Sequence, residues 1–418
     1  MLEHILKDDP VYRQLKDEVE DYCGPVLVSG CTDTAKWHLT SLIGNHKKKQ
    51  FKIIIVPDEN KARQWVEASH FFGEKVQYIP AKDPLFYTAD VHGNAIARDR
   101  MLAIKKIVDD KCGTFVMTID AVMDQVVPLS DIKNHKMTFK MGETLEEATI
   151  AEEFVARGYE KAPFVEAPGE FAVRGGIIDI FPYTQESPYR IELWGDEIDS
   201  IRSFDAQSQR SLENLDDVTI YPAAEQPMEK NGVSFLDYFK ETETLFFLDE
   251  LNHLEENAKA VQEEFQQSCE NRKEKGEISL SGDWMCTWEE LCHKINDRNC
   301  VAMSLLDPKK SNWKISGQFN ITVKSMSSYQ SSFELLVKDL KQYKKEGYQI
   351  VLLSGSRTRA ERLAKDLQEE GLNAFYGQDS DRILQPGEIM VAYGHARRGF
   401  EYPLLKFVVI TESDIFGA

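Results

Sequence analysis

An α/β fold is predicted for this chain: a parallel sheet wrapped by helices, with an inserted α+β domain and a further small α/β domain after it. Three observations predict it. Short apolar segments alternate with amphipathic segments of helical period up to about residue 135. Alternation on a period of two, with turn residues, replaces that pattern between residues 136 and 222. The pattern of helices and strands then returns.

The first segments each predict one element of the parallel sheet. VYRQLKDEVEDY places Val11, Leu15 and Val19 four residues apart and stops before Gly24-Pro25, which is typical of a helix. The elements expected next are a strand at 25–30, a helix at 34–43, a strand at 51–57, a helix at 60–72, a strand at 76–81, a helix at 94–108 and a strand at 113–119.

The middle segment predicts a separate α+β unit. FAVRGGIIDIFPY and YRIELWGDEIDSIRSFD alternate apolar and polar residues, as half-buried strands do. Gly195-Asp196 lies between two such strands and predicts a two-residue hairpin turn. We expect Gly175-Gly176 to form a bulge that redirects Arg174.

Helices and strands alternate again in the last half of the chain. VSFLDYFKE predicts a helix, TLFFLDE a buried strand, and residues 252–275 a long charged helix. The last hundred residues predict another α/β unit, in which a helix ends at Gly347 and LKFVVITESD is the final strand. The predicted units are 1–135, 136–222, 223–316, which completes the first sheet, and 317–418.

The overall charge argues against one class of function. The chain has 50 basic and 70 acidic residues and a formal net charge of −20. A free-standing protein that binds duplex DNA needs a basic surface to neutralise phosphates. A negative total does not exclude a local basic patch, but it suits a protein partner with a basic surface better.

Membrane, metal and nucleophilic sites have little support. The longest apolar runs, such as 53–56 and 407–410, are far shorter than the ~20 residues that span a bilayer. The start of the chain does not have the pattern of a signal peptide. The seven cysteines form no C-x-x-C pair, and Cys292-His293 has no second ligand pair nearby. We therefore expect reduced cysteines in a cytoplasmic protein, with no membrane contact, no metal and no catalytic residues.

A degenerate phosphate-binding loop follows the first predicted strand. Gly30-Cys31-Thr32-Asp33-Thr34-Ala35-Lys36-Trp37 has the context of the P-loop G-x-x-x-x-G-K-[ST]. Ala35 replaces the glycine that lets the backbone approach phosphate, and Trp37 replaces the hydroxyl ligand of Mg²⁺. Asp33 adds a negative charge where an anion should bind. We therefore expect no nucleotide cofactor.

Two predicted strands end in acidic residues, and one of these ends is a candidate partner for that loop. Asp249-Glu250 ends a buried strand, where an ATPase places its acidic pair for Mg²⁺. By itself such a pair is most simply structural, but with the degenerate loop it suggests the remnant of one ATP site divided by an inserted domain. Glu412 and Asp414 follow the final strand without a Gly-Lys loop in their unit, so we expect a solvated strand end.

Taken together, these residues resemble the bacterial transcription-repair coupling factor family. The most specific stretch, 169–213, is similar to the domain that this family shares with UvrB and uses to bind UvrA. RGYEKAPFVEAPGEF and VTIYPAAE support it, and VVITESDIFG resembles the end of the family's third domain. The resemblance implies a UvrB-like module with a degenerate nucleotide site, an inserted UvrA-binding domain at 136–222 and a third domain at 317–418.

The resemblance also implies a function and partners. Such a module is non-catalytic and recruits UvrA to lesion-stalled RNA polymerase in transcription-coupled nucleotide excision repair. In the family, RNA polymerase and DNA are bound through later domains, an ATP-dependent DNA translocase among them, and we expect those domains to be absent from this chain. A C-terminal domain of the full-length family protein is thought to cover the UvrA-binding surface.

Three residues match the family's UvrA contacts. They are Arg174 in AVRGG, Arg190 in PYRIELW and Trp194, where phenylalanine is common. Strand alternation puts Arg190, Glu192 and Trp194 on one face, with Ile191 and Leu193 facing the core. Arginine and tryptophan are frequent interface anchors. In the alternative interpretation, Trp194 only covers a hairpin edge and the arginines pair with nearby acids.

Two other functions remain as alternatives. One is a UvrB-like ATP-dependent helicase, or excision-repair subunit, with an active nucleotide site. It requires an intact GK[ST] loop and an aromatic-rich hairpin that clamps DNA, and the sequence has neither. The other is a structural role in which the inserted domain is masked by an intramolecular contact. Nucleotide titration separates the first alternative from a binding module.

Overall fold

The α/β architecture predicted from the sequence is confirmed. The computed structural model describes residues 3–21, 24–44, 50–69, 71–72, 74–82, 91–225, 232–239, 244–274, 285–309, 312–377 and 382–417. Three large sheets organise these residues: a seven-stranded parallel sheet, a six-stranded sheet in the inserted segment and a six-stranded mixed sheet near the C-terminus.

The seven-stranded sheet joins segments from both sides of the insertion. Its strands are β1 (Pro25–Ser29), β2 (Phe51–Val56), β3 (Val76–Ile79), β4 (Gly113–Thr118), β15 (Thr244–Asp249), β16 (Cys300–Ser304) and β17 (Gly317–Asn320). The spatial order is β17-β1-β16-β15-β2-β4-β3, with every pair parallel. Strands that follow the insertion therefore lie between β1 and β2, which brings the two halves of the predicted ATP-site remnant together.

Helices cover both faces of this sheet, and both faces are apolar. The helices are α1 (Glu3–Leu6), α2 (Pro10–Glu20), α3 (Asp33–Leu42), α4 (Glu59–Ser69), α5 (Val91–Asp109), α6 (Ile119–Met123), α7 (Leu129–Asn134), α9 (Leu251–Glu274) and α10 (Trp288–Asn296). Successive strand residues alternate between two cores, so that Ile54 and Phe247 pack on one face while Ile53 and Phe246 pack on the other. Strands buried on both sides explain the continuous apolar runs of the sequence.

Two sequence predictions in this unit need correction. VSFLDYFKE was expected to be a helix but forms a short strand, β14 (Val233–Ser234), which pairs with β5 (Gln125–Val126), and a 3-10 helix at Phe235–Tyr238. Three of that turn's four side chains are buried, so it has no solvent face to give an amphipathic period. The strand β17 was assigned to the last unit, but it pairs with β1 and covers the edge of the first sheet.

The inserted segment folds around its own core. It contains β6 (Met137–Lys140), α8 (Glu147–Ala156), β7 (Glu160–Lys161), β8 (Glu170–Arg174), β9 (Ile177–Ile180), β10 (Tyr189–Trp194), β11 (Glu197–Phe204), β12 (Ser211–Leu215) and β13 (Asp217–Ile220). Six of the strands form a sheet in the order β12-β11-β10-β9-β8-β7, and β6 pairs with β13. One face of the sheet packs on α8 through residues such as Phe154, Ile178 and Ile191.

Two turns connect the strands that carry the candidate binding residues. Gly195-Asp196 forms the predicted two-residue hairpin, with Trp194 opposite Glu197. The bulge expected at Gly175-Gly176 is wrong: these residues form a two-residue turn between β8 and β9, with Arg174 opposite Ile177. Both glycines have positive φ, +55° and +82°, as a type I′ turn requires.

The last unit is a mixed sheet with helices. It contains β18 (Lys324–Ser325), α11 (Phe333–Glu346), β19 (Gln349–Ser354), α12 (Arg357–Glu369), β20 (Ala374–Tyr376), β21 (Ile389–Tyr393), β22 (Phe400–Tyr402), β23 (Phe407–Thr411) and α13 (Glu412–Phe416). The order is β18-β22-β23-β19-β21-β20, and β19 is parallel to both of its neighbours. As predicted, α11 ends at Gly347, which is left-handed with φ +80°.

The last unit shares a core with the first. Buried residues of its sheet, such as Leu353, Phe400 and Tyr402, belong to the same apolar cluster as Trp37 and Phe72. His38 of α3 is fully buried at this junction, with its Nδ1 3.1 Å from the Tyr402 hydroxyl. The helix that follows the degenerate P-loop is therefore covered by the third unit.

Candidate functional site

The backbone of the degenerate P-loop is bonded to a neighbouring segment. The amide of Gly30 donates to the Leu305 carbonyl at 3.2 Å, and the amide of Cys31 donates to the Ser304 carbonyl at 3.4 Å. A Cβ on Gly30 would lie 2.8 Å from the Ile321 carbonyl oxygen. A phosphate-binding loop keeps such amides free to point at the ligand. Here two of them already have protein acceptors.

Lys36, the one charged P-loop residue that is retained, is bound to the acidic pair. Its Nζ lies 2.6 Å from Asp249 Oδ1 and 2.5 Å from Glu250 Oε1, and the lysine is almost fully buried. Burial by itself disfavours the ammonium, but the charges of Asp249, Glu250 and Asp33 outweigh it and raise the pKa of Lys36. The cation therefore neutralises the protein's own carboxylates.

Asp249 is buried and has a second donor. The indole Nε1 of Trp65, on α4, donates to its Oδ2 at 3.0 Å. Burial opposes the carboxylate, but Lys36, Lys61 and these hydrogen bonds together hold the pKa of Asp249 below its ordinary value. Both oxygens of this carboxylate are thus occupied by donors of the protein.

The two substituted P-loop positions are core residues. Ala35 is fully buried and Trp37 is 3% exposed, both in the cluster that joins the first and third units. The ring of Trp37 packs edge-on against Trp65, with centroids 6.2 Å apart. Asp33 is bound to Lys61, whose Nζ is 2.6 Å from it. The residues of the predicted remnant therefore meet in space, and its three charged groups bond to one another: Gly30, Ala35, Lys36, Trp37, Asp249 and Glu250 are its residues, and Lys36 pairs with both carboxylates.

The acidic end of the final strand is not solvated as expected. The carboxylate of Asp414 is buried and accepts hydrogen bonds from the Thr411 amide at 2.9 Å and the Gly399 amide at 2.7 Å. Glu412 accepts from the Gly355 amide at 2.6 Å and from Arg359 at 2.7 Å. Apart from Thr411, three residues before Asp414, these donors come from other strands and loops of the unit, which the local sequence does not reveal.

The second candidate region is the face of the inserted sheet opposite α8. We call this surface the open face and define it by Arg174, Asp179, Arg190, Glu192 and Trp194. Alternation in β10 follows the prediction: Ile191 is fully buried in the core and Leu193 packs against it, while the other three residues lie on the open face. A small buried cluster that includes Phe204 covers part of this face.

A buried carboxylate organises the two arginines of the open face. Asp179 is 0% exposed and lies between them. Arg190 donates to it through Nε at 2.7 Å and Nη2 at 2.8 Å, and Arg174 donates through Nη2 at 2.6 Å. The arginines thus pair with a nearby acid, as one alternative interpretation held. That pairing also fixes both guanidinium groups in place.

Each arginine also lies over an aromatic ring. The guanidinium of Arg190 is 4.4 Å from the ring centroid of Phe204, which is buried. That of Arg174 is 4.5 Å from the centroid of Phe164, which is 56% exposed. Arg174 is the more accessible of the two, with a side chain 34% exposed against 14% for Arg190. Arg174 and Phe164 therefore form an exposed stacked pair.

Trp194 is the most exposed large apolar side chain among the described residues. It is 82% exposed, at the end of β10 just before the hairpin turn. Glu192, two residues earlier, is held by Arg202 at 2.5 Å and by the Ser200 hydroxyl at 2.8 Å. An indole that is largely in water does not cover a hairpin edge. The alternative interpretation, in which Trp194 only covers such an edge, is therefore disfavoured.

Four residues that shape these regions were not predicted from the sequence. Trp65 and Lys61 belong to an amphipathic helix, and nothing local marks them as partners of Asp249 and Asp33. Asp179 did give a signal, because it interrupts the apolar run IIDI on the same face as two arginines. Phe164 lies outside the regular strands and had no periodic signal.

Comparisons with known proteins agree with the resemblance seen in the sequence. Residues 137–225 match the UvrB interaction domain family. The chain is 25% identical to the transcription-repair-coupling factor of Bacillus subtilis, over 99% of this chain and 40% of that protein. The corresponding proteins of Staphylococcus haemolyticus and Staphylococcus aureus strain USA300 are 23% and 22% identical, over 96% and 100% of this chain. The chain spans about 40% of the length of these curated relatives.

Membrane-spanning helices and metal-binding clusters are both absent from the described residues. None of their helices is both long and apolar enough to cross a membrane. Nor do they contain a group of three or more histidine, cysteine, aspartate or glutamate side chains that could hold a metal ion. Six of the seven cysteines lie in the described part of the chain, where all six are free thiols, and Cys23 lies outside it.

Proposed function

We propose that this chain, similar along its length to part of the transcription-repair-coupling factors, is a non-catalytic module that recruits UvrA in transcription-coupled nucleotide excision repair. The open face is the docking surface, with Arg174, Arg190 and Trp194 in contact with UvrA. The flanking α/β units serve as its scaffold. The observation that carries the proposal is the exposed indole of Trp194 on a sheet face with two fixed arginines, inside a UvrB interaction domain.

Physical chemistry supports this face as an interface. A tryptophan that leaves water on binding contributes a large apolar area, and arginine and tryptophan dominate binding hot spots. Because Asp179 already orders both guanidinium groups, little side-chain entropy is lost when a partner binds them. Residues 136–222 carry 8 basic and 18 acidic residues, so long-range attraction favours a partner surface that is positively charged.

The former nucleotide site supports the non-catalytic part of the proposal. To bind ATP, the chain would have to break the ion pairs of Lys36 with Asp249 and Glu250 and free two loop amides. The buried Trp37 offers no hydroxyl for Mg²⁺. We infer that no productive nucleotide binding remains and that the UvrB-like helicase alternative does not apply.

The remaining activities are proposed for the part of the relatives that this chain does not match. Binding of RNA polymerase and ATP-driven translocation on DNA are proposed to reside there, since the match covers about 40% of those proteins. An intramolecular C-terminal domain is proposed to cover the open face in the full-length protein. All these interactions are proposed to take place in the cytoplasm.

Titration of UvrA into the chain tests the docking surface. We expect Trp194→Ala to weaken the complex by ~2 kcal/mol, because it removes the largest apolar contact. Leu306→Ala is the matched control, since Leu306 is 76% exposed but lies on the first unit. Calorimetry measures both affinities. Equal affinities for the parent and Trp194→Ala would refute the assignment of the docking surface.

For the two arginines, the stability of the inserted unit must be measured together with the affinity for UvrA. Arg190→Ala leaves the buried Asp179 with a single cation, so we expect it to lower the stability of the inserted unit by about 2 kcal/mol as well as the affinity for UvrA. Arg174→Ala isolates binding better, because Arg190 keeps both of its bonds to Asp179. An Arg174→Ala variant with unchanged stability and at least ~1 kcal/mol weaker binding is the expected result.

A nucleotide titration tests the non-catalytic part separately. We expect no heat from Mg-ATP at ligand concentrations up to the ~1 mM upper end of substrate affinities typical of enzymes. Saturable binding that Lys36→Met abolishes would support the UvrB-like helicase alternative instead. Because UvrA docking does not depend on this outcome, the two parts of the proposal fail independently.

A further inference from the structure

Two basic segments meet at one edge of the third unit. The parallel strands β19 and β21 pair up to their last residues, Ser354 and Tyr393. Both strands therefore end at the same edge of the sheet. Four exposed arginines follow within five residues of the strand ends: Arg357, Arg359, Arg397 and Arg398. The fold thus gathers charges that lie some forty residues apart in the sequence into one patch, which we call the basic edge.

Most of these charges are not neutralised by the protein. Arg359 lies 2.7 Å from Glu412. The other three arginines have no carboxylate within salt-bridge distance in the described part of the chain. Positive charges gathered at one edge of a sheet repel one another, although the molecule as a whole carries a net charge of −20. Such a patch in an acidic protein indicates an anionic partner at this edge.

An exposed aromatic ring lies among the arginines. Tyr393 is 46% exposed. The guanidinium of Arg357 is 5.8 Å from its ring centroid, and the ring of His395 meets it edge-on at 5.7 Å. Positive charge interleaved with exposed aromatic rings is the pattern by which proteins bind single-stranded nucleic acid, since bases stack on the rings and phosphates pair with the cations.

The loop that carries two of the arginines is held by the first unit and by the rest of the third unit. The Arg398 carbonyl accepts a hydrogen bond from the Thr34 hydroxyl of α3. The amide of Gly399 donates to Asp414 at 2.7 Å. Gly394 lies against the ring of Phe71, where a Cβ would come within 3.0 Å of the ring. The backbone of residues 394–399 is therefore fixed, while the side chains of Arg397 and Arg398 point into solvent.

A cavity of about 450 Å³ adjoins the basic edge. It lies where the strand order reverses about β19, the place where ligands bind in open α/β sheets. Arg359, His395, Glu412 and Phe416 are among its lining residues. Burial disfavours the Glu412 carboxylate, but bonds from Gly355 and Arg359 outweigh it and lower its pKa. The cation that lines the cavity, Arg359, is thus paired with Glu412, so phosphates are left to the arginines of the rim.

We propose that the basic edge binds single-stranded nucleic acid, with Arg357, Arg397 and Arg398 on backbone phosphates and Tyr393 stacked against a base. This surface belongs to the third unit and is separate from the open face of the inserted unit. The basic edge gives the chain a surface for nucleic acid, which the overall net charge of the chain does not indicate. The proposal does not depend on UvrA recruitment.

Fluorescence anisotropy of a labelled oligothymidylate tests the proposal with the whole chain. A strand of about 16 nucleotides matches the upper end of typical single-strand sites. At about 50 mM salt we expect saturable binding, weakened at least ~10-fold by Arg397→Glu/Arg398→Glu and ~5-fold by Tyr393→Ala. Loss of two phosphate contacts is also expected to reduce the slope of log affinity against log salt by about 1.4.

A double variant elsewhere on the same unit is the matched control. Lys338→Glu/Lys345→Glu makes the same change of charge at two exposed positions of α11. We expect it to retain at least half of the parent affinity, and both double variants to keep the parent's unfolding temperature. An equal loss in the two double variants, or no binding by the parent, would overturn the proposal. Tighter binding of a duplex than of the single strand, or displacement by equimolar pyrophosphate, would overturn it as well.

Discussion

At the scale of single residues, Lys36 shows how the lysine of a P-loop-like sequence can stabilise the fold. In a working P-loop the lysine binds phosphates. Here it binds the two carboxylates that would otherwise hold Mg²⁺, at 2.6 and 2.5 Å. A cation in this position stabilises the fold, because Asp249 is buried and Lys36 is its one ion-pair partner among the described residues. These ion pairs give Lys36 a structural role that requires no nucleotide.

The first residue-scale prediction concerns that structural role. Lys36→Met is expected to lower the free energy of unfolding by about 3–5 kcal/mol, because it leaves Asp249 buried without its cation. Chemical denaturation at neutral pH measures the loss. Lys61→Met, whose partner Asp33 is 39% exposed, is the control and should change stability by less than about 1 kcal/mol. A Lys36→Met variant as stable as the parent would contradict a structural role.

The loss should also depend on pH. Because the folded-state pKa of Asp249 lies below its ordinary value of 3.8, its charge stabilises the parent above that value, and the contribution is lost as the pH falls through the lowered folded pKa. Without Lys36, burial favours the protonated acid instead. The stability gap between the parent and Lys36→Met is therefore expected to narrow as the pH falls from neutral towards 4. A gap that is constant over this range would be inconsistent with Asp249 as its source.

At the scale of elements, the turn between β8 and β9 positions the open face. Gly175 and Gly176 both have positive φ, and the turn sets the register that puts Arg174 and Asp179 on one face of the sheet. A bulge would instead have inserted an extra residue and disturbed the alternation on one strand. The tight turn keeps the two strands in phase, so that both arginines reach the same carboxylate.

A substitution in this turn tests its geometry. Gly176→Val is expected to destabilise the inserted unit by about 1–2 kcal/mol, because a β-branched residue is strained at φ +82°. The nearest atom to an added Cβ is the Leu193 carbonyl oxygen at 3.5 Å, so the backbone conformation and not a clash is the cause. Gly175→Asn is the control, with an expected change below about 0.5 kcal/mol, since asparagine suits this position of a type I′ turn. Thermal unfolding distinguishes them, and equal effects would argue against the turn type.

At the scale of the whole molecule, the chain has two kinds of core. Most apolar residues of the inserted unit pack against one another, whereas Tyr221 at its end belongs to the core of the first unit. The first and third units instead share a cluster that runs from α3 to the strands β22 and β23. Because the first and third units share a core, we predict that these two units unfold together and that the inserted unit unfolds separately.

Calorimetry of paired variants tests this division. Phe154→Ala removes a fully buried ring from the inserted core and is expected to destabilise that unit by about 3–5 kcal/mol. Tyr402→Ala removes a buried ring at the junction of the other two units and is expected to have an effect of similar size there. Each change should lower one unfolding transition and leave the other in place. If both changes shift the same transition, the cores are coupled.

By itself, the sequence determined the class of fold, most of the helices and strands, the degenerate P-loop and the face of β10 on which Arg190 and Trp194 lie. These follow from local periodicity and from neighbouring residues, which the chain encodes directly. The helix predicted for VSFLDYFKE is wrong, because its 3-10 turn buries three of four side chains and so lacks an amphipathic period.

Tertiary structure alone decided what the polar groups do. Lys36 and Asp249 are separated by 213 positions in the chain, and only the order of strands in the parallel sheet brings them together. The pairing of both arginines with Asp179, the burial of Asp414 and the gathering of the basic edge likewise depend on which strands are neighbours. Neighbouring strands are selected by packing of the whole core, and no local pattern in the sequence records that choice.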